Sequence, residues 1–247
     1  MKLAILSDLH ANRQAVEAVW THALEQGCEQ TVMLGDFVDY GADPAWVMDF
    51  VMARHQAGAI VVKGNHDDAL RHEDQHHLGS HVLASLAWTR EQLSAAHIAF
   101  IESLPLTAVL GDCLFAHANV HDPAHWGYVQ GRMEATRSLF ASQQPHVFCG
   151  HMHDPCLYHL SSTGKSGEFH PVDATPIQLS PMRRWLAIPG SVGQPRDGNP
   201  AACYATFDTD SATLTFHRVP YDHDAAAQRV LDAGLPESLA QRLRDGR

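Results

Sequence analysis

The chain has 247 residues, with 17 Lys and Arg against 28 Asp and Glu, a formal charge of −11 with histidine neutral. At roughly 100–200 residues per domain the length predicts one large domain or two small ones, and the 45% hydrophobic, 18% charged composition excludes disorder for most of it. The acidic balance argues against a binder of long nucleic acid or of an anionic membrane, either of which calls for a basic face; an anionic substrate is not excluded, because bound cations reverse a local field.

Residues 3–6 are a short apolar run, followed by an amphipathic stretch with Ala15, Val16, Val19, Trp20, Ala23 and Leu24 on one side. This reads as a strand and then a helix, with Asn12 placed to cap it. Residues 31–34 predict a second strand, Asp43-Pro44 opens a second helix with Asp as its cap, and residues 60–62 predict a third strand. Continuous apolar runs separated by helices indicate a parallel sheet covered on both faces. Residues 67–104 read as a helical insertion, with Ser80 and Ser94 as caps and Pro105 as its end. The remainder is strand-rich over 107–110, 113–116, 146–149, 157–160, 185–188, 203–208 and 213–218, with a helix near 131–142 and helices after Asp222. Gly111-Asp112 reads as a hairpin turn, and residues 161–175 are expected to project as a mobile loop or hairpin. Neither a repeat nor a Pro-, Gly- or Ser-rich linker divides the chain, so residues 1–247 read as a single domain.

No apolar run approaches the roughly 18 residues of a membrane span, and residues 1–7 hold a single basic residue, too little for a secretory signal. Five cysteines, with no C-x-x-C pair, point to buried small residues such as Cys113 and Cys149, and to a reducing cytoplasm rather than a disulfide framework. Histidine is the outlier, with nineteen. His22, His55, His97, His146, His159, His170, His217 and His223 read as polar surface, and the tract His72-Glu73-Asp74-Gln75-His76-His77, with His81 nearby, as a charged solvated loop. Gly164-Lys165-Ser166 lacks the glycine spacing and the strand-to-helix context of a phosphate loop.

Five short polar clusters, four of them holding histidine, each sit where an apolar run stops: Asp8-Leu9-His10, Gly35-Asp36-Phe37-Val38-Asp39, Gly64-Asn65-His66-Asp67, Ala116-His117 and Gly150-His151-Met152-His153. In open α/β sheets ligands bind beyond the carboxyl ends of strands, so these clusters are expected to converge. Residues two apart in an extended segment share a direction, which would bring Asp8 and His10 to one ion, and His151 and His153 likewise. Carboxylate, imidazole and amide oxygen without thiolate suit divalent first-row metals. Seven such side chains (Asp8, His10, Asp36, Asn65, His117, His151, His153) exceed the four of one tetrahedral ion and fit two, with a carboxylate shared.

The series D-x-H, G-D-x-x-D, G-N-H-D, a lone His and G-H-x-H resembles the calcineurin-like metallophosphoesterase superfamily, in the family's order from Asp8 to His153. The stretch Gly190-Ser191-Val192-Gly193-Gln194-Pro195-Arg196 is similar to the small single-domain bacterial phosphoesterases. The resemblance implies a four-layer α/β/β/α sandwich of two mixed sheets. It implies that Asp8, His10 and His153 bind one metal, Asn65, His117 and His151 a second, and that Asp36 bridges them. His66 matches the general acid and Asp39 the carboxylate that orients it, while Asp67 steadies its loop. Asn65 and His66 are expected to contact substrate, and Arg196 either to do so, since arginine grips phosphate bidentately, or to form a structural ion pair. The segment 119–128, with His121, His125 and Trp126, is expected either to line the pocket or to pack beneath the loop.

The implied activity is hydrolysis of a small phosphomonoester or phosphodiester, nucleotides included, by in-line attack of a hydroxide held between two divalent ions. Mn, Fe, Co, Ni and Zn all suit the ligands, and the resemblance favours Mn. Tyr40 and Asp67 stand where the family's protein phosphatases and dinucleoside tetraphosphatases carry Arg and Glu, which weakens both of those readings; dinucleoside polyphosphate hydrolysis or protein dephosphorylation is the alternative within the superfamily. A non-catalytic scaffold or nucleotide-binding module on the same fold is the alternative of another class.

Overall fold

Strand β1 (Lys2–Leu6) is apolar on both faces, and the layers build outward from it. In the computed structural model, which describes residues 1–73, 76 and 79–247, β1 pairs in parallel with β2 (Gln30–Met33), and β2 in parallel with β3 (Ile60–Val61). On its other edge β1 runs antiparallel to β11 (Ala202–Asp208), which leads to β12 (Thr213–Val219) and the short β9 (Ile177–Gln178). The second sheet has the order β4 (Thr107–Leu110), β5 (Cys113–Ala116), β6 (His146–Phe148), β10 (Arg183–Ile188), β7 (Cys156–Ser161), β8 (Ser166–Phe169). It too is mixed, with β5, β6 and β10 parallel and the other pairs antiparallel.

Alternation along the strands decides what each face meets. Leu3, Ile5, Val32 and Leu34 point toward the second sheet and pack with Phe115, Phe148, Trp185 and Phe207 between the sheets. Ala4, Leu6 and Met33 point the other way, onto α1 (Arg13–Glu25) and α2 (Pro44–Gln56). Helix α6 (Arg132–Ala141) covers the outer face of the second sheet through Ala135 and Leu139 against Val147 and Leu186. The result is the four-layer sandwich of two mixed sheets. The first three strands are parallel, as their unbroken apolar runs indicate, but a second sheet rather than a second layer of helices covers their inner face.

Asn12 caps α1: its Oδ1 accepts from Ala15 N at 3.1 Å, while Nδ2 donates to Gly193 O at 2.8 Å and Tyr221 Oη at 3.0 Å. Removing a cap costs about 0.5–2 kcal/mol, and here two further bonds are lost from a buried site. Asn12→Ala is therefore expected to lower unfolding stability by about 2 kcal/mol, read from the denaturant midpoint; an unchanged midpoint would show that the cap contributes nothing.

Some local expectations are corrected. Asp43 precedes α2 but makes no capping bond, because its carboxylate pairs with Arg229 of α7 (His223–Asp232). The 67–104 stretch forms α3 (Asn65–His72), α4 (Ser80–Gln92) and α5 (Ala95–Ser103); Ser94 caps α5, but Gly79 rather than Ser80 stands at the cap of α4. Within 161–175 the hairpin alternative is the one that forms: Ser166–Phe169 pairs antiparallel with β7 as strand β8, and Gly164 lies in the turn that leads into it. His97 and His217 are not surface residues: His97 is buried against Asp49 at 2.9 Å, and His217 is buried against Thr206 at 2.9 Å and stacked on Tyr204. His76 is not solvated either, its Nε2 lying 3.2 Å from Asp68; Asp74, Gln75, His77 and the side chain of His81 lie outside the described residues. No described helix is long and apolar enough to cross a membrane.

Candidate metal centre

The five polar clusters follow the carboxyl ends of β1, β2, β3, β5 and β6, which all open toward one end of the sandwich. The chain there is not extended. Asp8, His10, Asp36, Asp39, His151 and His153 all have positive φ, between 45° and 71°. Left-handed backbone is uncommon outside glycine and costs of order 1–3 kcal/mol per residue, so the surroundings must hold it. Bonds between the loops do so: His10 N to Asp36 O at 2.9 Å, Ala11 N to Phe37 O at 2.9 Å, Gly150 N to His117 O at 2.7 Å and Gly193 N to Asp8 O at 2.9 Å. The convergence foreseen from alternation along a strand is thus achieved by left-handed turns. Glycine permits the approach: a Cβ on Gly64 would strike the Asp36 carboxylate, and one on Gly150 would lie 2.7 Å from Asp8 Oδ2.

All seven residues expected to bind metal meet here, each of them buried. Asp8, His10, Asp36 and His153 form one group of donor atoms, and Asp36, His117 and His151 a second that shares the same aspartate. Nε2 of His153 is 3.2 Å from Asp8 Oδ1 and 3.2 Å from His10 Nε2, which is itself 3.8 Å from Asp36 Oδ2. Nε2 of His117 is 3.3 Å from Asp36 Oδ2, 3.0 Å from Asn65 Oδ1 and 3.1 Å from His151 Nδ1. Ligands about 2.0–2.2 Å from one ion stand roughly 3–4 Å from each other, which matches both groups.

The outer ring nitrogens sharpen the test of fit. Nδ1 of His10, His117 and His153 donates to the carbonyls of Val38 (3.1 Å), Leu34 (2.8 Å) and Gln194 (2.6 Å). That choice of tautomer turns each Nε2 lone pair inward. His10 and His153 then face one another as acceptor opposed to acceptor, and His117 Nε2 faces Asp36 Oδ2 and Asn65 Oδ1. Asp8 Oδ1 and Asp36 Oδ2 are buried with no hydrogen-bond partner. Buried acceptors without donors are costly, and cations satisfy them all at once. The residues present fit two divalent ions.

Charge tells the same story. Burial raises the Asp36 carboxyl, but His117 and His66 outweigh it and hold it well below the usual range; for Asp8, His153 does the same. Burial together with His153 depresses His10, and burial together with His117 pushes His151 down to about 3, so both stay neutral as ligands must be. Against burial, Asp36 raises His117 to about 9, a proton with which a cation would compete.

Beside the ligands, His66 Nδ1 lies 2.7 Å from Asp39 Oδ2, its Nε2 lies 3.1 Å from Tyr40 Oη, and its backbone N–H donates to Asp36 Oδ1 at 2.9 Å. Burial lowers the pKa of the His66 imidazole, but Asp36 and Asp39 together raise it above its ordinary value. Ser85 of α4 donates to the other oxygen of Asp39, a contact for which the sequence offers no signal, because a serine inside a helix is unremarkable. Asp67 accepts from Asp36 N, Phe37 N and Gly64 N at 2.8–2.9 Å and so ties two of the loops together; burial and the Asp36 charge push it up to about 7. Arg196 makes no ion pair among the described residues. Gln194 Oε1 accepts from its Nη2 at 3.1 Å, and its guanidinium stands 5.9 Å from the Tyr40 ring centroid. Gln194, which thus touches both His153 and Arg196, had no role in the expectations above. Of the 119–128 segment, His125 pairs with Asp122 in solvent, whereas Trp126 lies against His117.

Two mixed sheets with carboxylate and imidazole donors at the ends of their parallel strands are the architecture of a metallophosphoesterase. The chain belongs to the calcineurin-like phosphoesterase superfamily, whose domain matches residues 1–212, a family of metal-dependent phosphoesterases. A metallophosphoesterase from Sphaerobacter thermophilus is 36% identical over the whole of both chains, with a TM-score of 0.87. An uncharacterized protein of Methanocaldococcus jannaschii is 30% identical over 99% of this chain and 98% of its own length. A hypothetical protein of Pyrococcus horikoshii, 18% identical over 100% of this chain and 98% of its own, shares the fold with a TM-score of 0.79.

Proposed function

We propose that the chain hydrolyses a small phosphomonoester or phosphodiester at a pair of divalent cations. Asp8, His10 and His153 would hold one cation and Asn65, His117 and His151 the other, with Asp36 between them. The observation that carries this is Asp36 Oδ2, a buried carboxylate oxygen with no hydrogen-bond partner, common to both donor groups. Bound ions of this kind neutralise phosphoryl charge and supply a nucleophilic water near neutral pH. The chain's own residues supply the rest. His66, steadied by Asp39, can give a proton to the departing oxygen, and Asn65 and His66 orient the phosphoryl group from the start of α3. Arg196, with no carboxylate partner among the described residues and bonded to Gln194, can meet a phosphoryl oxygen. We take residues 1–247 as one functional unit, since α7 and α8 (Glu237–Asp245) pack around Tyr40, next to the site.

The test is turnover after removing metal and reloading with Mn or Zn. Both p-nitrophenyl phosphate and its bis-ester are offered, which separates monoesterase from diesterase. Hydrolysis of at least one, dependent on the added metal, is expected. A chain that binds neither ion and cleaves neither ester would end the reading, and tight nucleotide binding without turnover would favour a binding module.

A further inference from the structure

The segment between β5 and α6 brings two aromatic rings to the rim of this site. Tyr128 lies nearly parallel on the imidazole of His151, with centroids 4.0 Å apart and planes 15° apart, yet it is 47% exposed. One face of the ring covers His151, and among the described residues no second ring covers the other. Trp126 stands across His117, centroids 6.0 Å apart at 67°. Both rings are held by a built turn. Asn119 Nδ2 donates to Gly127 O at 2.9 Å and its Oδ1 accepts from Asp122 N at 2.8 Å, a single 3₁₀ turn spans Pro123–His125, and Trp126 has a φ of 55°. A bulky residue in the left-handed region is an outlier that persists only where its surroundings fix it. Arg196 also approaches the site, its guanidinium 5.9 Å from the centroid of the Tyr40 ring, whose hydroxyl lies 3.1 Å from His66 Nε2. A half-open aromatic face therefore borders the two groups of metal-donor side chains at a fixed position.

An exposed ring at such a place is of little use to an aliphatic ester, but a planar base stacks on it for about 1–3 kcal/mol. We infer that Tyr128, flanked by Trp126, is the stacking wall for the base of a nucleotide, and that the site selects nucleoside phosphoesters over aliphatic ones. This rests on the phosphoesterase reading and names the substrate class within it.

The experiment measures calorimetric binding of two non-cleavable phosphonate analogues, of AMP and of ribose 5-phosphate, to the Mn-loaded chain. The two differ only in the base. The AMP analogue is expected to bind roughly 5- to 150-fold more tightly, the equivalent of about 1–3 kcal/mol. Tyr128→Leu is expected to bring that ratio close to one, while Tyr128→Phe, which keeps the ring and loses the hydroxyl, preserves it. Equal binding of the two analogues by the unmodified chain, or no binding of either, overturns the wall. So does a Phe variant that behaves like Leu, which would assign the selectivity to the hydroxyl. Metal-dependent hydrolysis of p-nitrophenyl phosphate or of its bis-ester by the same preparation keeps the phosphoesterase reading intact in those cases, and failure to cleave either ester sinks both.

Discussion

Asp36→Asn is expected to abolish stoichiometric metal binding and phosphoester hydrolysis together. Asp36 Oδ1 accepts from His66 N at 2.9 Å, and Oδ2 faces His117 at 3.3 Å and His10 at 3.8 Å. An asparagine keeps the shape. Its oxygen must stay opposite the His66 N–H, because the reversed amide would set donor against donor. The NH₂ group then falls where Oδ2 was, with N–H bonds aimed into both donor groups at once. Each ion loses an anionic ligand and meets a donor in its place. Removing one member of a buried set of compensating charges costs about 3–5 kcal/mol, or on the order of 10²- to 10⁴-fold in affinity. Elemental analysis after desalting should find two equivalents of metal in the parent chain and fewer than one in the variant, with circular dichroism showing the fold retained. A variant that kept two equivalents would mean that Asp36 does not bridge.

The same aspartate shows what a sequence can and cannot disclose. Which residues would meet was legible, because the clusters follow apolar runs and parallel strands end on one side. How they meet was not. Leu9 is buried between Asp8 and His10, as alternation suggests, but the turn is left-handed at both. No pattern of residue types announces a positive φ at an aspartate or a histidine. The choice of tautomer depends on the carbonyls of Leu34, Val38 and Gln194, which the backbone path alone places. Backbone carbonyls carry no residue-type signature. Ser85 carried no signal for a related reason: it reaches the site from α4, whose position is decided by packing far from the motifs. Gln194 lies within the 190–196 motif but acts through its backbone carbonyl and an amide whose partners the sequence does not name. His97 and His217 were misread because a histidine that finds a partner in the core looks, in sequence, like one that faces water. The fold was more legible than the site, since it depends on runs of apolar residues, and runs survive small errors of register. Strand β9, with only Ile177 and Gln178, is too short to give such a run.

His66→Asn is expected to separate substrates by their leaving groups. The imidazole is held at two points, by Asp39 at Nδ1 and by Tyr40 Oη near Nε2, and the residue's backbone N–H donates to Asp36. The neighbouring carboxylates outweigh burial and keep it protonated to higher pH than an ordinary histidine, so a proton is available at Nε2, the nitrogen that Asp39 does not hold. A general acid so placed contributes roughly 10²–10⁴ in rate where the departing oxygen needs a proton, and little where it does not. An alkyl phosphoester is expected to lose about that factor in kcat. A p-nitrophenyl ester, whose phenolate departs unaided, should lose much less. Asp39→Asn should show the same selectivity more weakly. Adding it to His66→Asn should cost little more, because residues that act as one unit are not additive. Since the acid form is the active one, the advantage of the parent chain on alkyl esters should fade as pH rises through the raised pKa of His66 and be full below it. Metal content measured alongside distinguishes a lost proton donor from a disturbed ligand at the adjacent Asn65. Equal losses on alkyl and p-nitrophenyl esters, with metal retained, would show that His66 positions the phosphoryl group and does not protonate the leaving oxygen.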